Sequence, residues 1–166
     1  MSDLFDATNR RIIAALVANA RLPITELARA VGLSKTPVAL RIKQMEEAGL
    51  ITGYRATLSP IKLGLTHVTY VTVNLLDTRQ KALEAFNAAV RQIPEVEECY
   101  MIAGGFDYQL KLRTRDMPHF RAVMAEQIST LPHVSSTNSY VAMEAVVEQN
   151  WIMPDGSRRA RRMWSA

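Results

Sequence analysis

Four polar side chains cluster at the start of one strongly helical stretch: Ser34, Lys35, Thr36 and, two turns on, Lys43. Lysine ammonium groups neutralise phosphates. Serine and threonine hydroxyls, with the free N–H groups of a helix start, bond a phosphate or a base edge. Arg41 lies at the border between this set and the apolar stripe, where it reaches a nucleic-acid backbone, pairs with guanine or supports the fold. Other chemistries have little to work with. The histidines at 67, 119 and 133 show no metal-ligand spacing with each other or with Cys99, so no metal site is expected. There is no Ser/His/Asp or Cys/His grouping and no phosphate-cradling loop, so neither an enzyme nor a cofactor is expected. Cys99 is the single cysteine and cannot make an internal disulfide, which fits a reducing cytoplasm. In a strand-like run its default is a buried, inert thiol.

The elements that position the polar cluster are short and well punctuated. Asp6 is a good N-cap, and Ile12, Ile13, Leu16 and Val17 follow at helical spacing. Pro23 suits a helix start, Thr25 is a plausible cap, and Gly32 ends a short second helix as a left-handed residue would. Ser34 then caps a third helix to Ala48, with Val38, Ile42 and Met45 as its buried stripe. A short helix, a Gly-Leu-Ser turn and a longer helix have helix-turn-helix dimensions. The alternative is a plain helical hairpin with solvated charges. Ile51 and Tyr54, with Gly53 beside them, suggest a small β-hairpin over residues 50–58. Pro60 and Gly64 mark a linker.

From residue 66 the period changes. Residues 66–76 are rich in β-branched side chains, 81–93 are helical, and 96–102 read as a strand. Residues 108–114 alternate cleanly: Tyr108, Leu110 and Leu112 against Gln109, Lys111 and Arg113. Asp116 caps a helix from Met117 to about Leu131, and 134–147 form a long strand. The order β-α-β-β-α-β is the ferredoxin-like arrangement, so the fold class is α+β. Val68, Tyr70 and Thr72 are too apolar for an uncovered sheet face, and a homodimer packing sheet on sheet covers them economically.

The chain of 166 residues carries a net +4. Residues 1–55 hold 8 basic and 5 acidic groups, 56–148 hold 8 and 10, and 149–166 hold 4 and 1, so +3, −2 and +3. One end therefore suits an anionic partner and the middle does not. No run approaches the ~18–20 apolar residues of a membrane span, and the N-terminus lacks the pattern of a secretory signal, so no membrane association is expected. The expected domains are 1–55, the helix-turn-helix unit; 56–65, linker; 66–148, the ferredoxin-like unit; and 149–166, a basic tail. In the tail Trp151 and Trp164 are candidate anchors. Arg158, Arg159, Arg161 and Arg162 either touch phosphates or are simply solvated.

Leu33-Ser34-Lys35-Thr36-Pro37-Val38 through Arg41, Ile42, Met45-Glu46, Gly49-Leu50-Ile51 and Gly53-Tyr54 resembles the winged helix-turn-helix of the Lrp/AsnC (feast/famine) regulators. So does Asp6-x-x-Asn9-x-x-Ile12 followed by Ala20-Arg21. Gly104-Gly105-Phe106-Asp107-Tyr108-Gln109-Leu110-Lys111 is similar to the family's glycine loop, and residues 138–144 to its last strand. The resemblance covers about residues 3–148. It implies a sequence-specific, double-stranded-DNA-binding transcriptional regulator of amino-acid metabolism genes, dimeric and often assembled to tetramers or octamers. It places Ser34, Thr36, Arg41 and Lys43 on the recognition helix.

The resemblance also implies a small effector, usually an amino acid, held where dimers meet. Gly104 and Gly105 let the backbone come close and offer N–H donors, and Asp107 accepts from an ammonium. Met101, Met117, Ser129, Tyr140, Val141 and Ala142 match effector-response positions. Where many members carry an acidic residue after the first glycine, this chain has Gly105, which removes a carboxylate and loosens the loop. Each assignment has a structural alternative: a plain hairpin turn for the glycines, turn capping for Asp107, core packing for both methionines, and cross-sheet packing for Tyr140.

Overall fold

In the computed structural model, which describes residues 4–148, contacts divide the chain into two units, one up to Thr57 and one over Leu58–Val147. The first unit holds α1 (Ala7–Ala18), α2 (Ile24–Val31) and α3 (Lys35–Glu47). Its core is Ile12, Leu27, Ala28, Val31, Val38 and Met45. These are the apolar positions of three amphipathic helices, and burying them against one another is what makes such short helices stable.

Both ends of the α2–α3 pair are closed by glycine. Gly32 has φ 75°, its N–H donates to the Arg29 carbonyl and the Leu33 N–H to the Ala28 carbonyl. Gly49, with φ 69°, does the same at the end of α3, where the Leu50 N–H reaches the Met45 carbonyl. The paired bonds satisfy carbonyls that the helix leaves open. Thr25 is not the cap of α2. The helix begins at Ile24 with Pro23 at the capping position, which places Thr25 inside the first turn.

Arg41 ties α3 to the start of α1. Its Nη1 donates to Asp6 Oδ2 at 2.7 Å and to Asn9 Oδ1 at 3.0 Å. Asp6 Oδ1 accepts from the Asn9 N–H at 2.6 Å, the N-cap bond, and Asn9 Nδ2 donates to the Leu4 carbonyl. Asn9 is buried at the centre of this net. The Asn9 N–H, and after it the Arg41 guanidinium, holds the Asp6 carboxyl below its ordinary range.

The expected hairpin over 50–58 does not form. Thr52–Leu58 carries no ladder bonds, and among the described residues of this unit no strand lies opposite it. Tyr54 anchors the segment, its hydroxyl donating to Glu46 at 2.8 Å.

The second unit holds β1 (His67–Leu75), α4 (Gln80–Val90), β2 (Val96–Met101), β3 (Tyr108–Thr114), α5 (Met117–Val123) and β4 (Val134–Val141). The sheet order is β2-β3-β1-β4 and every pairing is antiparallel. Both helices cover one face, where Val71, Val73, Leu75, Phe86, Tyr108, Leu110, Leu112, Phe120 and Ile128 form the core.

Two elements differ from the sequence reading. α5 gives way after Val123 to a π turn, Met124–Ile128, closed by the Ser129 N–H on the Met124 carbonyl. Buried Phe120, Val123, Ile128 and Leu131 are spaced three, five and three, and the wide turn absorbs the five-residue step. β4 stops at Val141 rather than 147. Its last ladder bond is the Ala142 N–H on the Val68 carbonyl, and in this register β1 ends at His67, opposite Met143, so residues 144–147 have no strand beside them.

The open face presents Tyr70, Tyr100 and Tyr140, 38%, 58% and 58% exposed, around a charged group in which Lys111 lies 3.0 Å from Glu97 and 3.8 Å from Glu98 while Arg113 pairs with Glu97. Trp151, Trp164 and the four arginines of the tail lie outside the described residues.

Candidate functional site

The first unit displays α3. Ser34 occupies its N-cap without a side-chain capping bond, so its hydroxyl is not spent on the first-turn N–H groups and both remain available to a ligand. Ser34, Lys35, Thr36 and Lys43 are all exposed. Lys43 sits 3.6 Å from Glu47, both side chains well solvated, a pairing weak enough to yield to a phosphate. Arg41 is differently placed. Its Nη1 is engaged by Asp6 and Asn9 and its side chain is about one-third exposed, so it braces the domain from behind the polar cluster. Arg11 likewise serves the fold, donating to the Ala30 carbonyl at the negative end of α2.

In the second unit the nine predicted effector residues fall into two groups. Gly104, Gly105 and Asp107 form the β2–β3 connection, closed by the Ile102 N–H on the Asp107 carbonyl, with exposed Met101 at its foot. Neither glycine has a left-handed backbone, and a Cβ at Gly105 would meet nothing within 4 Å. The tight primed turns that demand glycine are therefore not the reason for it here; Gly105 leaves open space beside the backbone, whereas a Cβ at Gly104 would touch the Ile102 side chain at 3.4 Å. Asp107 has a structural duty: Oδ2 accepts from the Leu75 N–H at 2.7 Å, and its own N–H donates to the Val73 carbonyl. That matches the turn-capping alternative while leaving Oδ1 without a bond among the described residues.

Met117, Ser129, Tyr140, Val141 and Ala142 lie elsewhere. Met117 and Ser129 line a groove of about 700 Å³ between α5 and β4, together with Arg121, Met124 and Ser139. Tyr140 is on the open face opposite Tyr70, and Val141 pairs with Thr69. The loop group is fastened to the Leu75 end of β1 and Ala142 to the Val68 end. Seven strand residues separate them by about 23 Å. Within one chain the loop and Ala142 therefore lie too far apart to touch one small molecule.

Arg121 and Ser139 were missed by the sequence reading. Arg121 is one turn after Met117, and Ser139 is two residues before Val141 on the same side of β4, so the two periods carry a usable signal. Met101 lines a second groove, of about 500 Å³, with Asn87, Arg91, Cys99 and Tyr108. Burial there pushes the Cys99 thiol up, with Arg91 opposing, which leaves the thiol protonated and unreactive. No group of His, Cys, Asp and Glu suited to a metal occurs among the described residues. None of their helices is long and apolar enough to cross a membrane.

Comparison with known proteins agrees with both halves. Residues 5–52 match the family described as winged helix-turn-helix DNA-binding, and residues 68–152 the Lrp/AsnC ligand binding domain. A proline dehydrogenase transcriptional activator of Rhodobacter capsulatus is 74% identical over 90% of this chain and 97% of its own. An AsnC family transcriptional regulator from Agrobacterium tumefaciens superposes with a TM-score of 0.85 at 30% identity, over 90% of this chain and 97% of the other. A transcriptional regulator from Neisseria meningitidis in complex with L-Met gives 0.81 at 31% identity, over 87% and 94%. These relatives are regulators and not enzymes. The chain belongs to the Lrp/AsnC family of DNA-binding transcriptional regulators.

Proposed function

We propose that this regulator activates transcription of a proline dehydrogenase gene and that its occupancy of DNA responds to an amino acid, L-proline first, bound between subunits. The 74% identity to the Rhodobacter capsulatus activator supports the target. The L-Met bound by the Neisseria regulator supports an amino-acid effector. The observation that carries the location is the separation of the two effector groups along β1. A composite site takes the glycine loop, with Asp107 and Met101, from one chain and Met117, Ser129, Tyr140, Val141 and Ala142 from another.

Ser34, Lys35, Thr36 and Lys43 contact DNA directly in this reading, and Arg41 supports them. The open sheet face makes a dimer through its three tyrosines, and dimers join at the effector sites into tetramers or octamers. Such a protein works where the DNA is, in the cytoplasm.

A mixing experiment tests the composite site. Gly105→Leu blocks the loop half and Ser129→Trp the groove half. Each variant alone should lose the thermal shift that L-proline gives the wild type. Mixed and reassembled, the two should recover a fraction of it, because some sites then combine two intact halves. A single-chain site would show no recovery.

A further inference from the structure

We infer that Leu40 determines specificity at the DNA interface by packing against the C5-methyl group of thymine in the major groove. This rests on the DNA-binding reading above and names part of what that site recognises.

The side of α3 that packs on the domain is fixed by Val38 and Met45, with Ile42 packed against the same core. At roughly 100° per residue, Leu40 points about 160° away from Val38. Thr36 and Lys43 lie within about 60° of it, both on the same side. A large aliphatic side chain thus stands on the outward face beside Thr36 and Lys43, 55% exposed, and among the described residues it joins neither hydrophobic core. The buried cores among the described residues therefore do not account for it.

The surface that does explain it is the one that Ser34, Lys35, Thr36 and Lys43 face. The floor of the DNA major groove is a pattern of donors and acceptors, and the thymine methyl is its one apolar projection. A helix side chain leans toward the helix N-terminus, so Leu40 leans toward Thr36, the end that enters the groove in this motif. Lysine or arginine at this position would seek guanine, and asparagine or glutamine would seek adenine. Leucine has no hydrogen bond to offer any base, and a methyl group is what it can distinguish.

The test starts from a duplex enriched by the wild-type protein from a random library. Each thymine is replaced in turn by deoxyuridine, which deletes the methyl and keeps the base pair. At one or more thymines the wild type should lose about fourfold in affinity, the equivalent of ~0.8 kcal/mol for one methyl-sized group. In Leu40→Ala that sensitivity should disappear, with the melting temperature unchanged. Wild-type binding indifferent to every methyl overturns the proposal. So does a Leu40→Ala protein that keeps the same sensitivity, or one whose melting temperature falls, since Leu40 would then be packing within the protein. If no duplex is enriched at all, sequence-specific binding itself fails and the methyl contact falls with it.

Discussion

Replacing Asn9 with alanine deletes two bonds at once: the Leu4 carbonyl loses its donor, and Arg41 loses an acceptor. Because the site is buried, the expected cost is about 1–3 kcal/mol, read as a lower urea midpoint at unchanged slope. Asp6 in the same net adds a pH signature. Its carboxyl is held low first by the Asn9 N–H and then by Arg41, so its contribution is complete above the ordinary value of 3.8 and is lost as the pH falls below that through the folded-state value. Asp6→Asn should therefore be less stable than wild type at neutral pH, and the two should converge in acid. Parallel stability curves would contradict the assignment. Arg41 and Lys43, only two residues apart, should separate in DNA binding. Lys43→Ala should reduce the salt slope by about one phosphate's worth, whereas Arg41→Ala should lower the melting temperature and leave the slope alone. Titrating a duplex at several salt concentrations decides between them.

At the scale of elements, Gly32→Ala isolates a backbone effect. A Cβ there would meet nothing within 4 Å, so the left-handed φ of 75° is the whole penalty, about 1–2 kcal/mol by thermal melting. Elements of this kind were legible in the sequence because their causes are local: Asp6 as a cap, Gly32 and Gly49 as stops, and a strict alternation at Tyr108–Thr114. What was not legible depends on partners far along the chain. A hairpin over 50–58 needed a second strand that the described residues of the unit do not supply, and β4 needed more strand than β1 has before His67. The wide turn after Val123 reflects where Ile128 must sit on the sheet, which periodicity cannot state. The same distinction divides the candidate sites. The recognition helix is one local stretch, so its outward residues could be read directly, though Arg41 turned inward to a cap 35 positions away. The effector residues lie at opposite ends of a strand, and sequence order carries no ruler for that.

For the whole molecule the sheet face is the testable surface. Tyr70→Glu places a charge in a patch that holds exposed Tyr140 directly opposite it, and should shift the protein toward monomer in light scattering at micromolar concentration. DNA affinity should fall with it, because two linked helices gain from effective concentration and two separate ones do not. A wild-type protein that is itself monomeric under those conditions would remove the sheet face from the account. The closures at Gly32 and Gly49 have a broader consequence. They end α2 and α3 by backbone bonds alone, and the buried stripe of α3 shares no residue with Thr36, Leu40 and Lys43. The outer surface of this helix is thus an interchangeable plate on a fixed mount. Its residues can be exchanged as a set, in evolution or at the bench, to send the same effector response to a different promoter.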